Sequence, residues 1–416
     1  MSGSIRKERY IELEDLNPLH PDHIECPHHY YAKLQDEAPV WRAPEGFYMI
    51  TRHKDIMEVL RTPEVYSSDY RPLFNQRPEV AVILKKGVPN VSTLATLDPP
   101  DHARYRALVN KAFSQARVNA LVGGIERRTH ELIDAFVEDC EVELVQQFAM
   151  PLTMSVTAEQ LGVPQTDLHK YKEWSDARVV QFSLVVSAEE ECEAARKRLE
   201  FQKCLSRIFE EKRERPTDDM ISVLATTRFD DLDRGLTVAE FLSIAEQLMT
   251  AGNVTTTHAF GSSMLLLLQT PGLMQALAAD PAKFPGFIEE ALRLESPASG
   301  IWRIARADTE LGGVKIPRGS SLHLRLAAGN RDRRQFDCPM ELDLGRKNAK
   351  THLAFGYGHH VCIGSLLARK ELDIGLRALL ARLPNIRLAE GKNDLRHTRS
   401  FTTRGLEQLY LTFERA

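Results

Sequence analysis

The 416-residue chain has no long apolar run; consecutive apolar residues stop at five, as in Met264–Leu268. A membrane-spanning helix needs about 20, so the sequence predicts no membrane anchor. The opening MSGSIRKERYIELEDLNPLH lacks the apolar centre of a secretory signal. The six cysteines, Cys26, Cys140, Cys192, Cys204, Cys338 and Cys362, contain no CxxC pair. Their spacing suggests neither a zinc site nor a disulfide framework, and they read as free thiols of a reducing, cytoplasmic compartment. Neither sign of charge dominates: 54 basic against 58 acidic side chains leave a net charge of −4, which gives no footprint for nucleic acid. Length alone would suggest two or three domains of ~150 residues. No linker, repeat or low-complexity segment marks a boundary, so residues 1–416 are read as one domain. Hydrophobic residues make up 43% of the chain, enough for a sizeable core.

What is present is concentrated in Phe355 to Gly364, FGYGHHVCIG. Gly356, Gly358 and Gly364 frame Cys362, and glycine lets a backbone bend tightly and approach a flat ligand closely. The following SLLARKELDIGLRALLARLP has helical apolar spacing and ends at Pro384. A cysteine before a helix N-terminus feels the positive end of the dipole, so its thiol is expected below the free value of about 8.5. Such a thiolate serves as a nucleophile, a redox centre or a metal ligand. An arbitrary loop cysteine has no role more often than not. Here three glycines and two histidines, His359 and His360, share the same ten residues, which weakens that reading.

This stretch resembles the haem-ligand loop of the cytochrome P-450 family, FGxGxHxCxG, at every fixed position: Phe355, Gly356, Gly358, His360, Cys362 and Gly364. The resemblance implies a mainly α fold with a smaller β region, in a single triangular haem domain. It makes Cys362 the axial thiolate on the iron of haem b (iron protoporphyrin IX), with Phe355 near the sulfur. A thiolate ligand favours O–O cleavage, and loop N–H groups tune its charge.

Other stretches carry the resemblance in order. In LDPPDHARYRALVNKAF, Pro99 and Pro100 suit a helix start, and His102 and Arg106, four apart, share a face. Alone, they read equally well as a basic surface face; by resemblance to DPPxHxxxR they bind haem propionates, as do Arg303 and His360. Thr237 and Glu240 form a capping box for a helix running to Thr270, about 50 Å at 1.5 Å per residue. Its middle, AGNVTTTH, is polar and contains Gly252, which disfavours a helix interior and suggests a site with a local bulge. It resembles the family's oxygen-binding groove, AGx(D/E)T(T/S). Thr255 and Thr256 then organise proton delivery, while Val254 stands where the acid belongs. Glu290 and Arg293 have ExxR spacing, weak by itself, and by resemblance form a structural triad with Arg346.

The remaining segments are read more coarsely. CPHHYYAKLQDEAP and HKDIMEVLRTPEV read as helices flanking a hairpin at Pro44–Gly46. Residues 67–96 read as irregular, a loop that by family position covers the pocket. Residues 120–225 read as mostly helical, with solvated charged faces; Val179, Val180 and Phe182 are pocket candidates there, with ordinary core equally open. Strands follow Pro297, with turns at Gly312-Gly313 and Pro317–Gly319. The pocket nominees are Gln247, as a polar handle, with Ala251, Ser299, Phe401 and Thr402.

The function implied is haem-thiolate monooxygenation, an oxidoreductase reaction hydroxylating a compact apolar organic substrate (terpenoid, steroid or aromatic) with O2. The chain ends about 50 residues after Cys362, without a fused redox module. The expected electron donors are therefore a separate ferredoxin and ferredoxin reductase, with Lys111, Lys347, Arg369 and Lys370 as a docking patch for an acidic partner. The rival reading is a haem-binding protein or sensor without monooxygenase turnover, supported by Val254. A thiol hydrolase or redox enzyme built on Cys362 lacks an orienting constellation.

Overall fold

The structure, a computed structural model, describes residues 12–73, 77–180 and 187–415. The pocket candidate Phe182 lies outside the described residues, as does the Val179 side chain.

The long helix Val238–Gln269 organises the packing. The Thr237 side chain accepts the Glu240 N–H and the Glu240 carboxylate accepts the Thr237 N–H at 2.7 Å, which satisfies two backbone donors that a helix start otherwise leaves unpaired. The helix is α throughout, so the expected bulge in AGNVTTTH is not there. Its polarity has another cause. Asn253 Nδ2 donates to Ser175 Oγ at 3.1 Å, and Thr257 pairs with Thr153 at 2.8 Å, so one face bonds to the flanking helices Met150–Gln160 and Leu168–Val180. A π turn occurs instead at Val145–Ala149, leading into Met150–Gln160.

Two apolar clusters divide the long helix. Phe241, Ile244 and Met249 pack with Phe201, Phe209 and Trp174 around its first half. Phe260, Met264 and Leu267 pack with Phe148, Leu372 and Leu376 around its second. The helix Ser365–Arg382 crosses there through Gly375, where an added Cβ would lie 2.6 Å from the Phe260 ring.

The main sheet has the order β1 (Val40–Arg42), β2 (Tyr48–Ile50), β8 (Ser321–Leu324), β5 (Ile301–Ala305), β3 (Tyr66–Ser67). All its pairings are antiparallel except β2–β8, with Tyr48 opposite Leu322. A second sheet runs β4 (Glu141–Glu143), β10 (Tyr410–Thr412), β9 (Arg387–Leu388), and β6 (Thr309–Leu311) pairs with β7 (Val314–Ile316). The segment 67–96 is less irregular than its sequence suggests, because Pro78–Leu84 is helical with proline at its start.

The last segment returns to the first. His397 Nδ1 lies 2.6 Å from Glu25 Oε1, and Arg404 Nε donates to Glu295 Oε2 at 3.1 Å. Glu295 also accepts from Arg331 at 2.8 Å and lies 3.9 Å from His28. Gly405 touches the His258 ring so closely that any side chain there would collide with it. Burial holds the His28, His258 and His397 imidazoles below their ordinary range, His258 down to about 4. An unfolded chain takes these protons near pH 6.5, while the folded seam refuses them. Stability at neutral pH is therefore expected to be lost as pH falls below about 6.5, by up to about 1.4 kcal/mol per pH unit for each such histidine until its folded pKa is passed. Denaturant midpoints measured from pH 7.5 to 4 check this, and His258→Asn is expected to flatten the slope.

Candidate active site

The loop before Ser365–Arg382 is held by its own backbone. Cys362 N donates to the Phe355 carbonyl at 2.9 Å, and Gly358–His360 form one 3-10 turn. Gly356 and Gly358 adopt φ of +67° and +73°, and a Cβ on Gly358 would lie 2.7 Å from the Leu60 carbonyl. Glycine is therefore required at 358 twice over, by conformation and by space. The residue Cys362 has open surface, but protein closely surrounds its sulfur, and burial is the larger effect. The thiol is pushed up, not down as the dipole argument predicts. The Gly364 and Ser365 N–H groups and the Arg106 and Arg369 cations all favour the thiolate, but they do not outweigh desolvation. A bound metal cation reverses that balance, because coordination deprotonates a thiol outright.

Three nitrogen side chains from two distant segments gather at this loop around its own His360. The His102 and His360 rings lie 4.1 Å apart, and Arg106 Nη1 donates to the Val361 carbonyl at 2.7 Å. Arg303, on β5, is buried and donates to the Trp302 carbonyl at 2.7 Å; its charge bears on His360. Burial lowers His102 to about 4, His360 to about 3 and Arg303 to about 10. The Nε2 atoms of His102 and His360 are buried without a hydrogen-bond partner among the described residues. Orphaned buried donors are costly, and a buried cation without a close counter-charge more so. The cluster is chemically matched to carboxylates placed beside the thiol. The residues present thus fit a haem, whose iron would meet Cys362 and whose propionates would meet these nitrogens.

The long helix borders an open space at one point. Ala251 is exposed although Leu248, Met249 and Phe260 nearby are buried, and Val254 and Thr255 are half-buried. Thr255 Oγ1 donates to the Ala251 carbonyl at 2.7 Å. Thr256 is buried off this face. Ile363, next to Cys362, packs on the same cluster as Leu248 and Met249.

Two nominated pocket residues sit differently from the sequence reading. Gln247 is not a free polar handle: its carbonyl oxygen accepts from Ala95 N at 2.9 Å and its amide donates to Thr93 at 2.9 Å, tying residues 93–95 to the helix. Phe401 is buried in an aromatic cluster. It packs with Phe47, Tyr30 and Met49, with the Arg325 guanidinium 4.1 Å from its ring centre. Ser299 is buried and donates to the Phe401 carbonyl at 3.1 Å; Thr402 is half-buried and accepts from Ser299 N at 2.9 Å. Of the docking patch, Lys111 pairs with Asp230 and Arg369 with the buried Glu289.

Sequence reasoning missed Asp98. Its carboxylate accepts from Ser67 Oγ, Ser68 N and Arg306, and its charge also bears on Arg303 and His102. The DPP sequence drew attention to a helix start and hid this role. Glu290, Arg293 and Arg346 do meet: Glu290 Oε1 accepts Arg293 Nε at 2.6 Å and Oε2 accepts Arg346 Nε at 3.0 Å.

A thiol loop beside an anion-seeking cluster, on an α-rich fold with small sheets, defines a haem-thiolate protein. A family model described as Cytochrome P450 matches residues 285–397. The chain is 34% identical over 407 residues to cytochrome P450 107B1 of Saccharopolyspora erythraea, covering 96% of this chain and 98% of that one. Among solved structures, CYP109Q5 from Chondromyces apiculatus superposes with a TM-score of 0.86 at 33% identity, over 96% of this chain and 98% of that one. CYP109E1 from Bacillus megaterium, in complex with testosterone, does so with 0.82 at 30% identity, over 93% and 99%. The chain belongs to the cytochrome P450 family. It is a monooxygenase whose cofactor is iron protoporphyrin IX. Among the described residues, no helix is long and apolar enough to cross a membrane.

Proposed function

We propose that this enzyme hydroxylates a compact apolar organic substrate, a terpenoid, steroid or aromatic, with electrons from a ferredoxin and its reductase. Cys362 ligates the iron, and His102, Arg106, Arg303 and His360 hold the propionates. The observation that carries the site is the pair of buried Nε2 atoms, of His102 and His360, that have no partner among the described residues, with the Arg106 and Arg303 cations beside them at the Cys362 loop. The apolar Ala251 and Val254 at the open stretch of the long helix, and the testosterone bound by CYP109E1, support the substrate class.

The ferredoxin reading is supported by a groove of about 640 Å³ on the Cys362 loop. Lys54, Arg61, Lys350 and Arg369 line it, and among the described residues no acidic side chain does. Tyr357 and Val361 expose apolar surface within it. Such a surface suits an acidic partner.

Bound haem supplies oxygen activation and electron transfer; the chain supplies position and protons. The Gly364 and Ser365 N–H groups bear on the Cys362 sulfur and temper its charge. Val254 carries no proton. With its own proton committed to the Ala251 carbonyl, Thr255 Oγ1 has acceptor lone pairs left for the open space, which would orient a water as the proton donor there. A positioned donor is worth about 10²–10⁴ in rate. Thr255→Ala is therefore expected to lower product per NADH consumed and raise peroxide, with Thr255→Ser near wild type. Equal coupling in wild type and Thr255→Ala removes Thr255 from the mechanism. Negligible product from wild type, with haem and electron transfer intact, refutes turnover itself.

Removing Arg106 or Arg303 is expected to leave a propionate short of a partner, costing on the order of 3 kcal/mol at the buried Arg303 and less at the half-buried Arg106. Haem transfer to apomyoglobin checks this. It should accelerate in both variants, and unchanged retention in both places these arginines elsewhere.

A further inference from the structure

Arg369, which lines the basic groove, also belongs to a second, buried cluster beside the thiol loop. Glu289 is 4% exposed, and Arg369 grips it through both oxygens, Nε to Oε1 at 2.6 Å and Nη2 to Oε2 at 2.9 Å. His352 Nε2 lies 3.2 Å from Oε2. The His352 Nδ1 accepts the Ala354 N–H at 3.2 Å, which leaves the ring proton on Nε2, within ion-pair distance of the carboxylate but without an aligned hydrogen bond to it. Although burial opposes ionisation, the Arg369 and His352 contacts hold the Glu289 carboxyl down to about 2. The carboxylate is therefore charged and satisfied throughout the working range.

The same guanidinium lies 4.4 Å from the centre of the Phe355 ring, within cation–π range, and the His352 ring is 5.8 Å from it. Phe355 in turn accepts the Cys362 N–H through its carbonyl at 2.9 Å. Arg369 is one of the two cations whose charge reaches the Cys362 sulfur. One edge of it remains open: Arg369 and His352 both line the groove that also holds Lys54 and Arg61. A buried anion, a ring and the sulfur are thus joined through a single side chain that also meets the outside.

We propose that Glu289, His352 and Arg369 form a clamp that positions Phe355 and sets the charge on the Cys362 sulfur, making Arg369 a positioning residue for electron entry. The inference rests on the reading that Cys362 ligates the iron. The cation stabilises the more negative, reduced state of the centre, and the carboxylate limits how strongly it does so. Removing each should therefore move the reduction potential in opposite directions. Arg369→Lys keeps the charge but lacks the planar fork that pairs with a carboxylate and stacks on a ring.

The test is a spectroelectrochemical titration of the holoenzyme without substrate, paired with the CO spectrum of the reduced protein. Arg369→Gln is expected to lower the potential by about 59 mV or more, tenfold in a one-electron equilibrium. Glu289→Gln is expected to raise it, and Arg369→Lys to recover part of the Arg369→Gln shift. If Arg369→Gln does not fold, the opposed pair Glu289→Gln and Arg369→Lys carries the test, the first above wild type and the second at or below it. Potentials that stay within twofold of the wild-type equilibrium, or that shift in one common direction, overturn the clamp, because a merely structural role moves melting and haem retention without opposed potentials. A wild-type protein lacking the thiolate CO band refutes the ligand reading instead, so the two failures are distinguishable.

Discussion

Cys362→Ala is expected to abolish the thiolate CO spectrum and all monooxygenase turnover, while substitutions at Cys26, Cys140, Cys192, Cys204 or Cys338 leave both in place. The other five thiols lie outside the loop, and none shares its surroundings. At 362 the Gly364 and Ser365 N–H groups and two arginines bear on one sulfur whose burial alone raises its pKa. Alanine removes the only soft ligand there and leaves those donors facing a methyl group. The propionate cluster is untouched, so some haem is expected to remain bound without the red-shifted Soret band. A variant that kept that band would show that another side chain ligates the iron.

Arg293→Ala is expected to be the most destabilising single change outside the site. Arg293 is fully buried and donates to both oxygens of Glu290 and to the carbonyls of Asn330, Pro339 and Glu341 at 3.0, 2.7 and 2.9 Å. Its guanidinium also lies 5.1 Å from the Phe336 ring centre. Truncation leaves a buried carboxylate with Arg346 as its remaining cation and takes the donor from the Asn330 and Pro339 carbonyls, while the Glu341 carbonyl keeps Arg346 at 3.1 Å. Breaking a buried pair costs about 3–5 kcal/mol, against a total stability of about 5–15 kcal/mol. The denaturant midpoint should fall sharply and the soluble haem-bound yield with it. A midpoint within about 1 kcal/mol of wild type would mean that water replaces these contacts.

Features set by local chemistry were legible in the sequence. The Thr237 capping box, Pro271 beyond the helix end, the Gly312-Gly313 turn and the glycine-framed thiol loop each depend on neighbours along the chain. Features set by distant partners were not. Gln247 looked like a free polar handle because its partners, Thr93 and Ala95, are about 150 residues away. Phe401 looked like a pocket residue because nothing nearby in the chain announces Phe47 or Arg325. The polar middle of the long helix suggested a bulge, yet threonines and an asparagine bonding sideways serve without one. The Cys362 pKa went the other way because the dipole is readable from sequence and desolvation is not. Glu289 is masked in sequence by Glu290 beside it, and only the fold separates their partners.

The contact of the last segment with the first has a consequence for biogenesis. Glu25 and His397 are 372 positions apart, and the Thr402 carbonyl closes on Ser299 N from 103 positions downstream. Contacts of such separation carry the largest loop-closure entropy and form late. The last segment is therefore expected to dock after the helices have packed, so that a chain cut before His397 would keep the thiol loop and its helices but lose the bonds to Glu25 and Glu295 that close the seam.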